Sequence, residues 1–222
     1  MTVKSRRSRE APPPAADGDT EQRILEAAHR VFVRRGTAGA RMQEIAAEAG
    51  VNHALLHYYF RSKAALARAV FQTVARRLLP PVMAALGSDA PIEEKVEQVI
   101  HLEIDHLSQH PFLPAYLIGE LHHDPQRARE LATAALQADP AQVRPRVMAT
   151  LRRQIAEAVR AGTMRPITPE QFTVNLLSLC IFPFAARPML TTMLGLDQKA
   201  YERFIAQRRA ELPAFFLRAL RP

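Results

Sequence analysis

The stretch "IAAEAGVNHALLHYYFRSKAAL", Ile45 to Leu66, decides how this chain is read. Ile45, Ala46 and Ala49 recur at helical spacing, and Gly50 is placed to stop the helix. Val51 can plug the turn that follows, and Asn52 is a good N-cap for a further helix running to about Tyr59. Leu56 and Phe60 stand four apart, so they share one side and point to the core. Asn52, His53, Ala54, Leu55, His57, Tyr58 and Tyr59 are then left on or near the exposed side. Tyr58 and Tyr59 cannot both point inward, because helical neighbours diverge by about 100°. Two short helices joined by a tight glycine turn form a helix-turn-helix unit. Taken alone, the same spacing also fits any small helical bundle.

The flanking residues extend the pattern. Asp19 and Gln22 resemble a capping box, and Ile24, Ala28, Val31 and Phe32 follow at helical spacing up to Gly36. Arg41 to Ala49 reads as a short helix that buries Met42, Ile45, Ala46 and Ala49. Ser62 can cap a fourth helix with Leu66, Val70 and Val74 inward, and Pro80-Pro81 marks its expected end. In such a unit the third helix enters the major groove, while its neighbours touch phosphates. Tyr hydroxyls and His nitrogens suit phosphate oxygens, with Lys63 adding charge at the edge. Asn and Arg side chains can read base edges.

Residues 20–70 resemble the DNA-binding domain of the tetracycline-repressor (TetR) family of bacterial transcriptional regulators. The resemblance rests on "RILEAAHRVFVRRG", on "IAAEAGV" and on "LLHYYFRSKAAL". It implies that Arg41 and Gln43, at the start of the second helix, face double-stranded operator DNA. It implies the same for Asn52, His53, Ala54, Leu55, His57, Tyr58 and Tyr59 of the third helix, together with Lys63. The chain departs from the family at His57, where Tyr is usual, at Asn52, where Ser or Thr is common, and at Leu55, where a small or hydroxylated residue is common. The resemblance also implies a homodimer formed through residues 169–220, whose last helices would build a four-helix bundle with those of a second subunit.

Composition agrees with an all-α chain. Glycine is scarce at 8 residues, and apolar residues make up 48% of the 222. The single cysteine, Cys180, excludes an internal disulfide framework and suits a reducing cytoplasm. The longest nearly continuous apolar run, Leu176 to Ala186, falls short of the roughly 18 residues that suggest a membrane span, so no membrane partner is expected. Residues 1–79 hold 14 positive and 7 negative groups, whereas 80–222 hold 16 and 15. The positive excess therefore surrounds the quoted stretch and favours an anionic partner. The expected organisation is a flexible basic arm at 1–19 with Lys4, Arg6, Arg7 and Arg9, a helix-turn-helix domain at 20–79, and a helical effector-binding and dimerisation domain at 80–222.

The C-terminal part reads as a series of amphipathic helices divided by prolines, with Pro183, Pro188 and Pro213 expected to kink or break the last two. His101, Asp105, Phe112, Tyr116, Cys180 and Phe184 combine apolar bodies with few polar heads, which suits a pocket for an apolar small-molecule effector. The same residues could equally be domain core. His101 with Asp105, His106 with His110, and His122-His123-Asp124 have the side chains of metal ligands, but the helical pairs point in different directions, and no metal or other cofactor is expected. No Gly-x-Ser-x-Gly, Walker loop, dinucleotide fingerprint or His-Glu-x-x-His occurs, so no local signal supports an enzyme. The reading is an all-α, ligand-responsive repressor. The rivals are a constitutive regulator without ligand and a helical enzyme or scaffold.

Overall fold

The computed structural model describes residues 17–123 and 125–222; the side chains of Asp17 and of residues 120–128 lie outside the description. All regular elements among the described residues are α-helices. The first part comprises α1 (Asp17–Gly39), α2 (Met42–Ala49), α3 (His53–Tyr59) and the long α4 (Lys63–Gly87). Helix α1 packs against α2 and α4. Ile24, Ala28, Val31 and Phe32 of α1 meet Ile45, Ala46 and Ala49 of α2, Leu56 and Phe60, and Leu66 and Val70 of α4, in one apolar core.

Local chemistry sets the boundaries. Gly36 (φ 66°, ψ 168°) breaks the regular course of α1 near its end. Gly50 closes α2 in the left-handed conformation that glycine adopts without steric cost. Asn52 and Ser62 cap α3 and α4 by accepting from Leu55 N at 2.7 Å and from Ala65 N at 3.1 Å. Helix α1 begins by Asp17, so Asp19 lies inside it rather than capping it, and 17–19 belong to the helix rather than to an arm. Lys4, Arg6, Arg7 and Arg9 lie outside the described residues.

Pro80-Pro81 does not end α4, which continues to Gly87. A proline removes the bond to the carbonyl four residues back, here those of Arg76 and Arg77. Both arginines are exposed, so water can satisfy the freed carbonyls, while Val74, Val82, Ala85 and Leu86 carry the buried face across the break. The boundary expected at 79/80 therefore falls inside a helix. Helix α4 packs on α1 on one side and on α5, α7 and α8 on the other.

The larger part comprises α5 (Ile92–Gln109), α6 (Leu113–His123), α7 (Pro125–Leu136), α8 (Pro140–Arg160), α9 (Pro169–Ala185), α10 (Arg187–Leu194) and α11 (Gln198–Ala219). Helix α5 packs against α4, α9 and α11. Of the prolines expected to break the last helices, only Pro188 coincides with a break. Helices α9 and α10 meet there at 72°, with Pro188 in the first turn of α10, where a missing N–H costs nothing. Pro183 and Pro213 lie inside α9 and α11. Among the described residues no single helix is long and apolar enough to cross a membrane.

Gly50 supplies a test of the turn. A Cβ there would sit 3.4 Å from Nη2 of Arg23, whose guanidinium donates to the Ala49 carbonyl at 2.8 Å. Gly50→Ala is expected to lose roughly 1–2 kcal/mol, the cost of a left-handed L-residue, read as a lower urea midpoint at unchanged slope. Wild-type stability would show that this turn is not held left-handed.

Candidate functional site

Helix α3 has seven residues and could not persist alone in water. It is held by Leu56, fully buried, and by Phe60 just beyond its end. That anchoring turns Asn52, His53, Ala54, Leu55, His57 and Tyr58 to solvent, while Tyr59 is half-buried. Tyr58 is 76% exposed and meets the Tyr59 ring edge-on at 5.3 Å. The His53 and His57 rings stack edge-to-face at 4.4 Å one turn apart. The result is one continuous outward face of aromatic and polar groups. Asn52 Oδ1 is occupied by the cap, so its amide NH2 is the group left for recognition.

The surrounding charges are sorted by their partners. Arg30 and Arg34 both pair with Glu48 at 2.8 Å, and Arg35 pairs with Glu44 at 2.9 Å. Arg41 and Gln43, at the start of α2, are exposed. Arg41 and Arg61 form no ion pair among the described residues, and both flank the α3 face. Arg61 went unnoticed in the sequence, although it sits inside the Tyr-Phe-Arg-Ser-Lys run. Lys63, expected to add charge at the edge, also has a place in the scaffold. Its Nζ donates to the carbonyls of Ala38 at 2.9 Å and Ala40 at 3.1 Å, because the α1–α2 connection leaves them without helical partners.

The expected effector residues do not gather into one pocket. Phe112 packs against His29 and Phe32, with centroids at 5.7 and 5.8 Å, so it belongs to the junction with α1. Tyr116 packs on Phe71 of α4. His101 lines a shallow depression beside Leu102, Asp105 and His106. Asp105 and Phe184 do share a groove of about 620 Å³ that reaches from Val33 of α1 to Tyr201 and Arg209 of α11. Within it Arg209 grips both Asp105 oxygens, at 2.6 and 2.8 Å, and holds that carboxyl below the usual carboxylate range. Cys180 is fully buried, and burial followed by the nearby Glu103 charge pushes its thiol up to about 12, so it is inert.

Two buried polar features escaped the sequence reading. His29 Nε2 lies 2.5 Å from His110 Nδ1, and the His106 ring lies 4.5 Å from that of His110. This cluster ties α1 to the end of α5. Burial, then neighbouring positive charge, lowers His106 to about 4 and His110 to about 3. The second feature is Glu103, 4% exposed, which burial raises to about 7. Charged residues at helical spacing ordinarily read as solvent face, so only the fold could place it inside. No group of metal ligands is assembled among the described residues. Asp124 and the side chains of His122 and His123 lie outside them.

A family model of bacterial regulatory proteins of the tetR family matches residues 24–70, and a tetracyclin repressor-like C-terminal domain model matches 93–212. The chain belongs to the TetR family. Its members are transcriptional regulators rather than enzymes. It is 37% identical over 79 residues to the HTH-type transcriptional regulator BetI of Rhizobium meliloti, covering 36% of this chain and 39% of that protein. It is 33% identical over 122 residues to the HTH-type transcriptional repressor SCO4008 of Streptomyces coelicolor, covering 51% and 59%. The chain thus spans between about two fifths and three fifths of those relatives. Two solved structures share the fold: HlyIIR, a hemolysin II transcriptional regulator (TM-score 0.57, 21% identity, 93% of this chain and 99% of that one), and the ketosteroid regulator KstR2 of Mycobacterium tuberculosis (TM-score 0.59, 15%, 91% and 95%).

The two buried features have opposite pH signatures. His106 and His110 are lowered on folding, so the unfolded chain protonates first; their stabilisation is present above pH about 6.5 and is lost as pH falls toward 4 and 3. Replacing His110 by Asn is expected to flatten that acid limb in denaturant titrations. Glu103 is raised from 4.5 to about 7, so its cost is absent below pH 4.5 and complete above 7. Glu103→Gln is expected to exceed wild-type stability near pH 8, by up to roughly 3 kcal/mol, and to lose that advantage toward pH 4.5. A gain independent of pH would show that the carboxyl is not the cause.

Proposed function

We propose that the protein is a homodimeric repressor that binds a palindromic operator through α3 and is released by a small molecule taken up in its C-terminal helices. The observation that carries this reading is the α3 face. A seven-residue helix is spent on presenting His53, Leu55, His57 and Tyr58 outward, while Leu56 and the adjoining Phe60 anchor it. Such a face, with Arg41 and Arg61 free of ion pairs among the described residues, suits base edges flanked by phosphates.

Dimerisation is supported by the outer side of α9, α10 and α11. Val174, Phe182, Met193 and Phe215 are each more than half exposed there. A groove of about 300 Å³ between α9 and α11 is lined by Leu179, Phe204 and Phe215. So much clustered apolar surface is costly in water and suits a second copy of the same helices. Effector release is supported by the link between the parts. Helix α5 contacts α9 and α11 and reaches α1 through His110 and His29. A ligand that shifts α5 therefore changes the placement of α1, and with it the distance between the recognition helices of the dimer.

The DNA-binding reading is tested with genomic fragments selected by the wild-type protein. Arg41→Ala and Arg61→Ala are expected to weaken binding to every sequence and to reduce the salt slope by about one each. Asn52→Ser retains the cap, and His53→Ala leaves the core intact, so both are expected to change base preference instead. Wild-type affinity and preference in all four folded variants would remove α3 from the interface. For assembly, Phe215→Arg is expected to yield a folded monomer at micromolar concentration by light scattering. Phe216 is 3% exposed, so Phe216→Arg is expected to unfold the chain. A folded Phe215→Arg dimer would place the interface elsewhere.

A further inference from the structure

Glu103 projects from α5 into a core it shares with α9. It is 4% exposed and has no hydrogen-bond or ion-pair partner among the described residues. Burial pushes its carboxyl up to about 7, with no neighbouring cation to offset it. On the facing helix the fully buried Cys180 thiol is close enough for the Glu103 charge to raise it. The cation on the other side of Cys180, Arg208, is committed elsewhere: its Nε and Nη2 both donate to the Leu179 carbonyl, at 3.1 and 2.8 Å. The contrast with Lys95 on the same helix is instructive. Lys95 is fully buried as well, yet its Nζ is satisfied by the Leu86 carbonyl at 2.9 Å. The fold provides for one buried charge and leaves the other alone.

A buried carboxylate without a partner is among the most expensive groups a core can hold, and glutamine would fill the same volume without the charge. Such a group is typical of a site that meets its counter-charge only in the bound state. Glu103 does not itself line a cavity, but its neighbours do. Ile104, next to Glu103, and Phe184, one turn along α9 from Cys180, form part of the wall of the 620 Å³ groove. We propose that Glu103 is the counter-charge for a cationic effector: an ammonium or quaternary ammonium group on an apolar body, drawn between α5 and α9 from that groove. This deepens the effector reading given above and rests on it. It also supplies the leverage that reading needs. Glu103 lies about 10 Å along α5 from His110, the residue that touches α1, so prying α5 from α9 acts directly on the DNA-reading part.

The test uses full-length protein and selected genomic DNA, with paired probes. Benzyltrimethylammonium is compared with neopentylbenzene, its uncharged isostere, and 2-phenylethylammonium with 2-phenylethanol. Binding is followed by thermal shift, and operator release by fluorescence anisotropy. The cations are expected to bind wild type at least tenfold more tightly than Glu103→Gln and to release DNA, while the uncharged probes bind both proteins equally. A second measurement needs only wild type: cation affinity is expected to fall between about pH 8 and pH 5.5 as the carboxyl gains a proton, and uncharged-probe affinity to stay level. Equal cation binding in wild type and Glu103→Gln, or a pH-independent cation affinity, overturns the proposal. If uncharged probes alone bind and release DNA, the proposal fails and the effector reading stands. If no probe of either kind binds or releases DNA, both fail.

Discussion

Burial of one leucine orients the surface on which the proposed function depends. Leu56 is wholly buried in the apolar core to which α1, α2 and α4 also contribute, and the helix it belongs to is too short to have an orientation of its own. Rotating α3 by one residue would swing Leu56 out by about 100° and put Leu55 or His57 in its place. The neighbouring details serve the same constraint. Gly50 permits the sharp turn, Asn52 caps the helix, and Arg23 and Lys63 tie down the ends of α2 and its approach through carbonyls at Ala49, Ala38 and Ala40. Lys63 thus serves the scaffold that positions α3, through its bonds to the Ala38 and Ala40 carbonyls.

Helix α4 gives this small domain a mechanical connection to the larger one. Because it continues through Pro80-Pro81, one helix joins the end that packs among α5, α7 and α8 to the end that packs on α1. The histidine contact between α1 and α5 provides a second, shorter connection. Two connections on different helices resist independent motion of the parts. An effector that separates α5 from α9 must therefore rotate the DNA-reading part rather than merely loosen the core. The buried, neutral imidazoles fit such a joint, since they hold it by hydrogen bonding and packing without the cost of burying charge.

Residues 20–70 were legible in the sequence because their structure is dictated largely by local signals. Gly50, Asn52, Leu56 and Ser62 act through their immediate neighbours, so their spacing announces the turn, the caps and the anchor. The end of α4 was misplaced because two prolines are a strong local stop that tertiary burial of Val82, Ala85 and Leu86 overrides. The effector region was legible only as apolar helices. Phe112, Tyr116 and Cys180 are all buried, as their chemistry suggests, but burial against α1, α4 and α5 respectively is decided by packing between distant segments. Phe215 and Phe216 show the same limit at single-residue scale: adjacent and chemically identical, one faces solvent and the other the core. Glu103 and the histidine joint depend on which side of α5 becomes buried, and a polar residue carries no local signal of that.

The central claim is that two copies of the α3 face read DNA at a separation set by the dimer. Hydroxyl-radical footprinting of the full-length protein on a selected genomic fragment tests it most directly. The account predicts two protected patches related by two-fold symmetry, with centres one helical turn apart, about 34–36 Å, or a whole multiple of that. A single unpaired patch, or no protection on any fragment by a folded dimeric protein, would contradict it.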